Sequence, residues 1–397
     1  MSNWYLGVGT VALLLTPEYA ATQSYDDFKQ QYEQRYQDYQ AAYLKSYQAF
    51  KQRVAAEWGD NAVLSDADTY VHYSDDLQQR TVIDYADNTI AVERLGDKAV
   101  DIEEVEALLQ ELSRTPVKEQ AKKDPVLQTI PLSDEQTVLA SWVPETEVDQ
   151  LLATASIERS EAAAKIQAEV ESEAQTEAPA SSAEQPAKQS LETTESLPPP
   201  TVKRVQRMTI SLNSGQVFNQ RAKPYLDDAR QVVTELNLPF ALLMAVMQTE
   251  SSFNPLAQSP IPAFGLMQIV PSTAGLDVNR LVHDKQHAPS VDTLFNAEQN
   301  IRFGGNYLAL LRDRYLTQIE NPQTRLYCMI AAYNTGAGNV ATVFHPRGEK
   351  SVQEAVNVIN QMTPEAVYRK LEQELPYQET RAYMGKVRTA MERYQKI

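Results

Sequence analysis

A single carboxylate, Glu250, ends the apolar run Phe240-Ala-Leu-Leu-Met-Ala-Val-Met247 and is followed by Ser-Ser-Phe-Asn-Pro255. The run is apolar on nearly every face, so it reads as a helix buried all round, and Asn254-Pro255 is expected to stop it. A carboxyl in that position is desolvated by its neighbours and faces the negative end of the helix dipole. Both effects disfavour the ionised form and bring the group toward the range a general acid needs. The competing reading is that Glu250 only caps the turn or pairs with a buried arginine.

Three further clusters of polar and small residues follow in order: Phe264-Gly-Leu-Met-Gln268, Ala331-Ala-Tyr-Asn-Thr-Gly-Ala-Gly338 and Glu379-Thr-Arg-Ala-Tyr383. With the stretch around Glu250 they resemble the catalytic domain of soluble-type lytic transglycosylases, a mainly helical, lysozyme-like fold that cleaves the glycan strands of peptidoglycan. The resemblance runs from about residue 220 to 395. It implies that Glu250, in an E-S-x-F-N-P motif, is the catalytic acid. The G-L-M-Q motif falls on Gly265 to Gln268, the A-Y-N motif on Ala332, Tyr333 and Asn334, and an E-T-R-x-Y motif places Tyr383 in the cleft beside Glu379. Ser259 matches a polar position between the acid and G-L-M-Q, but the usual S-x-x-G-A becomes Ser259-Pro-Ile-Pro-Ala263.

The resemblance implies supporting roles for these residues. Ser259 and Gln268 would hydrogen-bond the N-acetyl group or Glu250. Met267 would pack on a sugar face or sit in the core. Tyr333 and Tyr383 would orient Glu250 or stabilise charge at the anomeric centre. Asn334 would contact substrate or cap the helix turn before Gly336, and Glu379 would meet a stem peptide or neutralise Arg381.

Glycoside cleavage usually takes two carboxylates, and no second acidic residue sits in the motifs near Glu250. The resemblance offers an explanation, because lytic transglycosylases use the C6 hydroxyl of the substrate's own muramic acid and leave a 1,6-anhydro end. One glutamate then acts first as acid and afterwards as base. Two alternatives stay open: a hydrolytic lysozyme with Asp292 or Glu298 as second base, and a non-catalytic peptidoglycan-binding or scaffold protein.

Toward the amino terminus, Tyr70-Val-His-Tyr-Ser and Thr81 to Glu93 are similar to the N-terminal domain of the membrane-bound lytic murein transglycosylase C family. Read physically, apolar and polar residues alternate around Asp87-Asn88, which predicts a hairpin over 81–95. The expected class is α+β overall: a smaller α+β domain over 22–156, then a mainly α, lysozyme-like catalytic domain over 201–397.

Composition separates the two parts. Residues 157–200 are Ala, Glu, Ser, Gln, Thr and Pro with few large apolar side chains, ending in Pro198-Pro-Pro200. They read as a disordered acidic linker that lets the catalytic domain reach substrate, with Glu161-Ala-Ala-Ala-Lys165 as a transient helix. Val202 to Leu212 alternates like an edge strand able to pair back with the N-terminal sheet. The net charge of −17 is uneven: residues 201–397 hold 21 Lys and Arg against 17 Asp and Glu, net +4, and the first 200 residues hold the rest. A mildly basic catalytic part suits a polymer whose peptide stems carry carboxylates, and the absence of a basic stripe or a nucleic-acid-binding signature excludes that class.

Trp4 to Leu15 is an apolar run of signal-peptide size, so 1–21 reads as a signal or N-terminal apolar segment and the protein as periplasmic in a Gram-negative bacterium. Membrane association through a lipid-modified cysteine lacks its residue: the one cysteine, Cys328, lies in an apolar run and reads as a core residue. His283 and His287 are four apart without a third ligand at a recognised spacing, so neither metal nor cofactor is expected. From Tyr25 to Trp58, aromatic or apolar residues recur every three or four positions, a helical stripe that packs on its own domain or meets a cell-envelope partner, a second copy or glycan. Oligomeric state is left open.

Overall fold

Alternating burial builds the first domain. The structure, a computed structural model, describes residue 34 and residues 41–128, 155–166, 201–211, 221–259 and 263–395. The N-terminal apolar run, the stripe positions before 41, and 167–200 lie outside the described residues. Strands β1 (Thr69–Tyr73), β2 (Gln79–Asp84), β3 (Thr89–Leu95), β4 (Ser156–Ile166) and β5 (Thr201–Ser211) form one antiparallel sheet in the order β1-β2-β3-β5-β4. Ile83, Ile90 and Ile210 stand side by side across β2, β3 and β5 and are fully buried. Each such side chain contributes about 1.5–3 kcal/mol through the apolar surface it removes from water. The β2–β3 turn places Asn88 at φ 57°, a conformation asparagine tolerates.

The striped helix (α1, helical through 41–58) buries Tyr43, Phe50, Val54 and Trp58. Phe50 and Trp58 both meet the Tyr73 ring edge-on, so the described part of the stripe is core. Trp58 also covers Arg80 at 4.1 Å. Arg80 and Arg207 both pair with Glu93, their register neighbour across β2, β3 and β5. Glu93 is 1% exposed, and the two guanidinium groups take the place of the water its side chain gives up. Helix α2 (Ile102–Arg114) starts on an Asp101 cap and turns Val105, Leu109 and Leu112 inward. Helix α3 (Val117–Lys123) follows it.

Two expectations are corrected by β4. The stretch assigned to the start of the linker, Glu161-Ala-Ala-Ala-Lys165 included, is extended and pairs with β5 over its whole length. Its described side chains are mostly exposed, so partner backbone rather than burial overrides weak strand propensity. Because β4 and β5 are neighbours, the described residues on both sides of 167–200 belong to one sheet of the first domain. The boundary expected at 201 moves accordingly, since β5 belongs to the N-terminal sheet and the helical domain is described from 221.

The second domain is helical: α4 (Leu226–Leu236), α5 (Phe240–Ser251), α6 (Leu276–Leu281), α7 (Val291–Phe295), α8 (Ala297–Leu310), α9 (Pro322–Thr335), α10 (Ala337–Phe344), α11 (Val352–Ile359), α12 (Pro364–Glu374) and α13 (Gln378–Tyr394). Ala241 to Met247 of α5 are all buried, as an apolar run without a polar face requires. Cys328 is buried on α9, where desolvation pushes its thiol up to about 12. His283 lies edge-on to Phe303.

The two domains are docked by buried polar contacts. Tyr43 donates to Gln258 Oε1 at 2.9 Å and sets its ring edge against Phe264. Arg221, fully buried, donates to Asn88 Oδ1 at 2.7 Å, to Tyr85 O and to Ser252 O. Asn254 Nδ2 donates to Ala67 O at 3.1 Å. The turn after α5 is thereby fastened to the first domain's hairpin and to the loop before β1.

Candidate active site

Helix α5 brings Glu250 to a cleft of about 770 Å³. The helix ends at Ser251, earlier than Asn254-Pro255 alone implies, because Ser252 and Phe253 both take positive φ, 49° and 67°. For a bulky residue that conformation costs on the order of 1–3 kcal/mol. Packing holds it: Phe253 is fully buried and stacked on Tyr225, while Arg221 holds Ser252 O. Glu250 therefore sits on a turn that its surroundings over-determine.

Burial pushes the Glu250 carboxyl up to about 8. The Tyr383 hydroxyl works against that shift by donating to Oε1 at 2.7 Å, and the charges of Glu379 and Asp68 add to it. The result is a carboxyl that is largely protonated at neutral pH and has a donor in place for the carboxylate left after it gives its proton away. Tyr383 is raised well above the ordinary phenol range, first by burial and then by Glu250, so it stays a donor throughout.

The G-L-M-Q loop is positioned by a residue outside the motifs. Asn300, fully buried on α8, accepts from Met267 N–H at 2.7 Å and donates to Phe264 O at 2.8 Å and Leu294 O at 2.6 Å. Gly265 lies at φ 75°, and a Cβ there would stand 2.2 Å from Leu294 O, so only glycine fits. Met267 is fully buried, and its side chain fills the space above Gly304 where a Cβ would otherwise stand. The sugar-facing role expected for Met267 is thus corrected, because its side chain is core and does not line the cleft. Gln268 does line the cleft, at φ 45° with Nε2 donating to Gly265 O.

Tyr333 and Tyr383 part company. Both line the cleft, but Tyr333 donates to Met267 O at 2.8 Å, fastening α9 to the G-L-M-Q loop, and only Tyr383 hydrogen-bonds Glu250. Asn334 lines the cleft and accepts from Thr380 Oγ1 at 2.7 Å, tying the end of α9 to α13, while Gly336 at φ 85° ends the helix. Ser259 also lines the cleft and closes its loop through Oγ, which accepts from Ala263 N–H. Residues 260–262 between them lie outside the described residues. Glu379 is exposed on the cleft wall, and Arg381 turns instead to Leu375 O, so the expected neutralisation of Arg381 is not formed. Asp292 and Glu298, the alternative second bases, do not line the cleft, and Glu298 pairs with Arg302.

Sequence reasoning missed Asn300, Thr380, Arg221 and Asp68. Thr380 and Asn254 lay inside recognised motifs and could have been read as positioning residues. Asp68 lines the cleft from the first domain, and no local pattern announces that.

A carboxyl kept protonated by desolvation and held by a tyrosine in a cleft, at the end of a buried helix of a lysozyme-like domain, has the form of a glycan-cleaving site. Residues 229–356 match the transglycosylase SLT domain, and residues 36–140 match the N-terminal domain of membrane-bound lytic murein transglycosylase C. A membrane-bound lytic murein transglycosylase C of Histophilus somni (strain 2336) is 34% identical over 373 residues, covering 91% of this chain and 92% of its own. That of Edwardsiella ictaluri is 43% identical over 180 residues, covering 45% of this chain and 49% of its own. The 70 kDa soluble lytic transglycosylase of Escherichia coli superposes on 46% of this chain and 26% of its own, at 24% identity and a TM-score of 0.34. The chain belongs to the membrane-bound lytic murein transglycosylase C family. It is a lytic transglycosylase.

Proposed function

We propose that the protein cleaves the β-1,4 bond between N-acetylmuramic acid and N-acetylglucosamine in peptidoglycan and closes the muramic acid into a 1,6-anhydro end, with Glu250 as the one catalytic acid and base. The observation that carries this reading is the Glu250 carboxyl itself, raised to about 8 and held by Tyr383 at 2.7 Å. Glu250 gives its proton to the glycosidic oxygen as that bond to C1 breaks. Tyr383 stabilises the new carboxylate, which then takes the C6 hydroxyl proton as O6 bonds to C1. The proton returns to Glu250, and water adds to nothing. The internal nucleophile has a large effective concentration, which compensates for a dedicated second carboxylate.

Ser259, Gln268, Asn334 and Glu379 line the route of the strand and serve as its polar contacts, while Tyr333 shapes the wall. The family's membrane-bound members and the apolar run at Trp4 to Leu15 support a place in the periplasm at the membrane. Among the described residues no helix is long and apolar enough to cross a bilayer. Incubating purified sacculi with the wild type and with Glu250→Gln, and identifying sugar ends by mass spectrometry, tests the reading. Anhydromuramic ends from the wild type alone are expected; reducing ends, or equal cleavage by the variant, would remove it.

A further inference from the structure

The cleft wall opposite the motifs belongs to the first domain, where Ala67 and Asp68 line the same cavity as Glu250. Their loop is pinned from several sides. Asp66 Oδ1 accepts from Asp68 N–H at 3.0 Å and Thr69 N–H at 2.8 Å. Asp68 O takes Tyr85 N–H at 2.8 Å, and Ala67 O takes the Asn254 amide. With these carbonyls satisfied and the turn fastened to the residues just past Glu250, the Asp68 side chain is fixed in place at the cleft.

One of its oxygens is unused. Asp68 Oδ1 is shielded from solvent and has no hydrogen-bond partner, and the side chain forms no ion pair among the described residues. Burial raises the Asp68 carboxyl, and the Ser252 side chain, in the turn after Glu250, works against that shift. The carboxylate nevertheless lines the cavity close enough to Glu250 for its charge to act there, so a strand bound at Glu250 passes it. Glycan strands carry hydrogen-bond donors along their length, as acetamido N–H and hydroxyl groups, and the proposed function puts a strand in this cleft.

We infer that Asp68 is a substrate-binding residue contributed by the first domain, its carboxylate at the cleft lining accepting a hydrogen bond from an N–H or O–H of the bound sugar chain. The inference rests on the proposed function for its ligand. It adds that recognition is shared between domains, so the catalytic domain alone holds an incomplete site.

The test uses the full chain. In the Glu250→Gln background, dissociation constants for peptide-stripped glycan strands are measured with Asp68, Asp68→Asn and Asp68→Ala, and KM and kcat are compared in the otherwise wild-type chain. Asp68→Ala is expected to weaken binding about tenfold and to raise KM more than it lowers kcat, with the thermal midpoint held. Asp68→Asn, which keeps an acceptor oxygen of the same shape, is expected to restore most of the loss. Unchanged binding and KM in Asp68→Ala would overturn the inference, as would a loss confined to peptide-bearing strands, which would assign the carboxylate to a stem-peptide amine. If the wild type leaves no anhydro ends, the reaction fails on its own evidence, while the binding constants still judge Asp68.

Discussion

At the scale of single residues, Glu250 carries opposing demands of stability and chemistry. Its folded value of about 8 exceeds the ordinary 4.5, so the folded state holds a proton that the unfolded chain releases. The associated stability is complete below about 4.5 and is lost as pH rises through about 8. Glu250→Gln escapes that loss. Its stability advantage over wild type is expected to grow across this window, by on the order of a few kcal/mol, and denaturant titrations at pH 5 and 8 check it. An advantage of equal size at both pH values would sink the account of Glu250's burial. Tyr383→Phe removes the donor at 2.7 Å. A drop in kcat of about 10- to 100-fold with little change in KM is expected. Since Tyr383 lowers Glu250, the alkaline limb of the rate profile should also move to higher pH. A limb that stays put or falls would contradict the assignment. The place of Glu250 at the end of a buried helix was legible because its motif is contiguous. The partners of Tyr333 and Met267 were not, because a motif says which residues gather but not which atom each one faces.

At the scale of elements, the apolar run at 240–247 could be read as a buried helix from composition alone, and it is one. Its end could not be read to the residue, because stacking on Tyr225 and the Arg221 contact impose positive φ on Ser252 and Phe253 against their own preference. The hairpin was legible from alternation around Asp87-Asn88. Strand β4 was not, since its alanines and glutamates favour helix or coil until β5 supplies a partner. The G-L-M-Q loop depends on a close approach that sequence marks only by a glycine. Gly265→Ala would drive a Cβ into Leu294 O and Asn300 at φ 75°. Its expected cost is about 3 kcal/mol in urea unfolding, together with loss of activity. A fully stable variant would mean the loop does not need that approach.

At the scale of the whole molecule, the two domains line one cleft. Arg221 and Asn254 join the turn after Glu250 to the hairpin and the Ala67 loop, and Asp68 reaches the cleft through that junction. These pairs are far apart in sequence and leave no local signal, which is why a flexible tether was expected where docking is found. Replacing 167–200 by a loop of about six residues between β4 and β5 tests the difference. Full activity on sacculi and a gain of about 1 kcal/mol from the shorter loop are expected, whereas a tethered domain would lose its reach. The central claim, that one carboxyl suffices because the substrate supplies its own nucleophile, is tested most directly by digesting peptidoglycan in heavy-oxygen water and weighing the released muropeptides. Anhydro products carrying no solvent oxygen are expected; heavy oxygen at the muramic C1 in the main product would show that water attacks and would rule out the internal nucleophile.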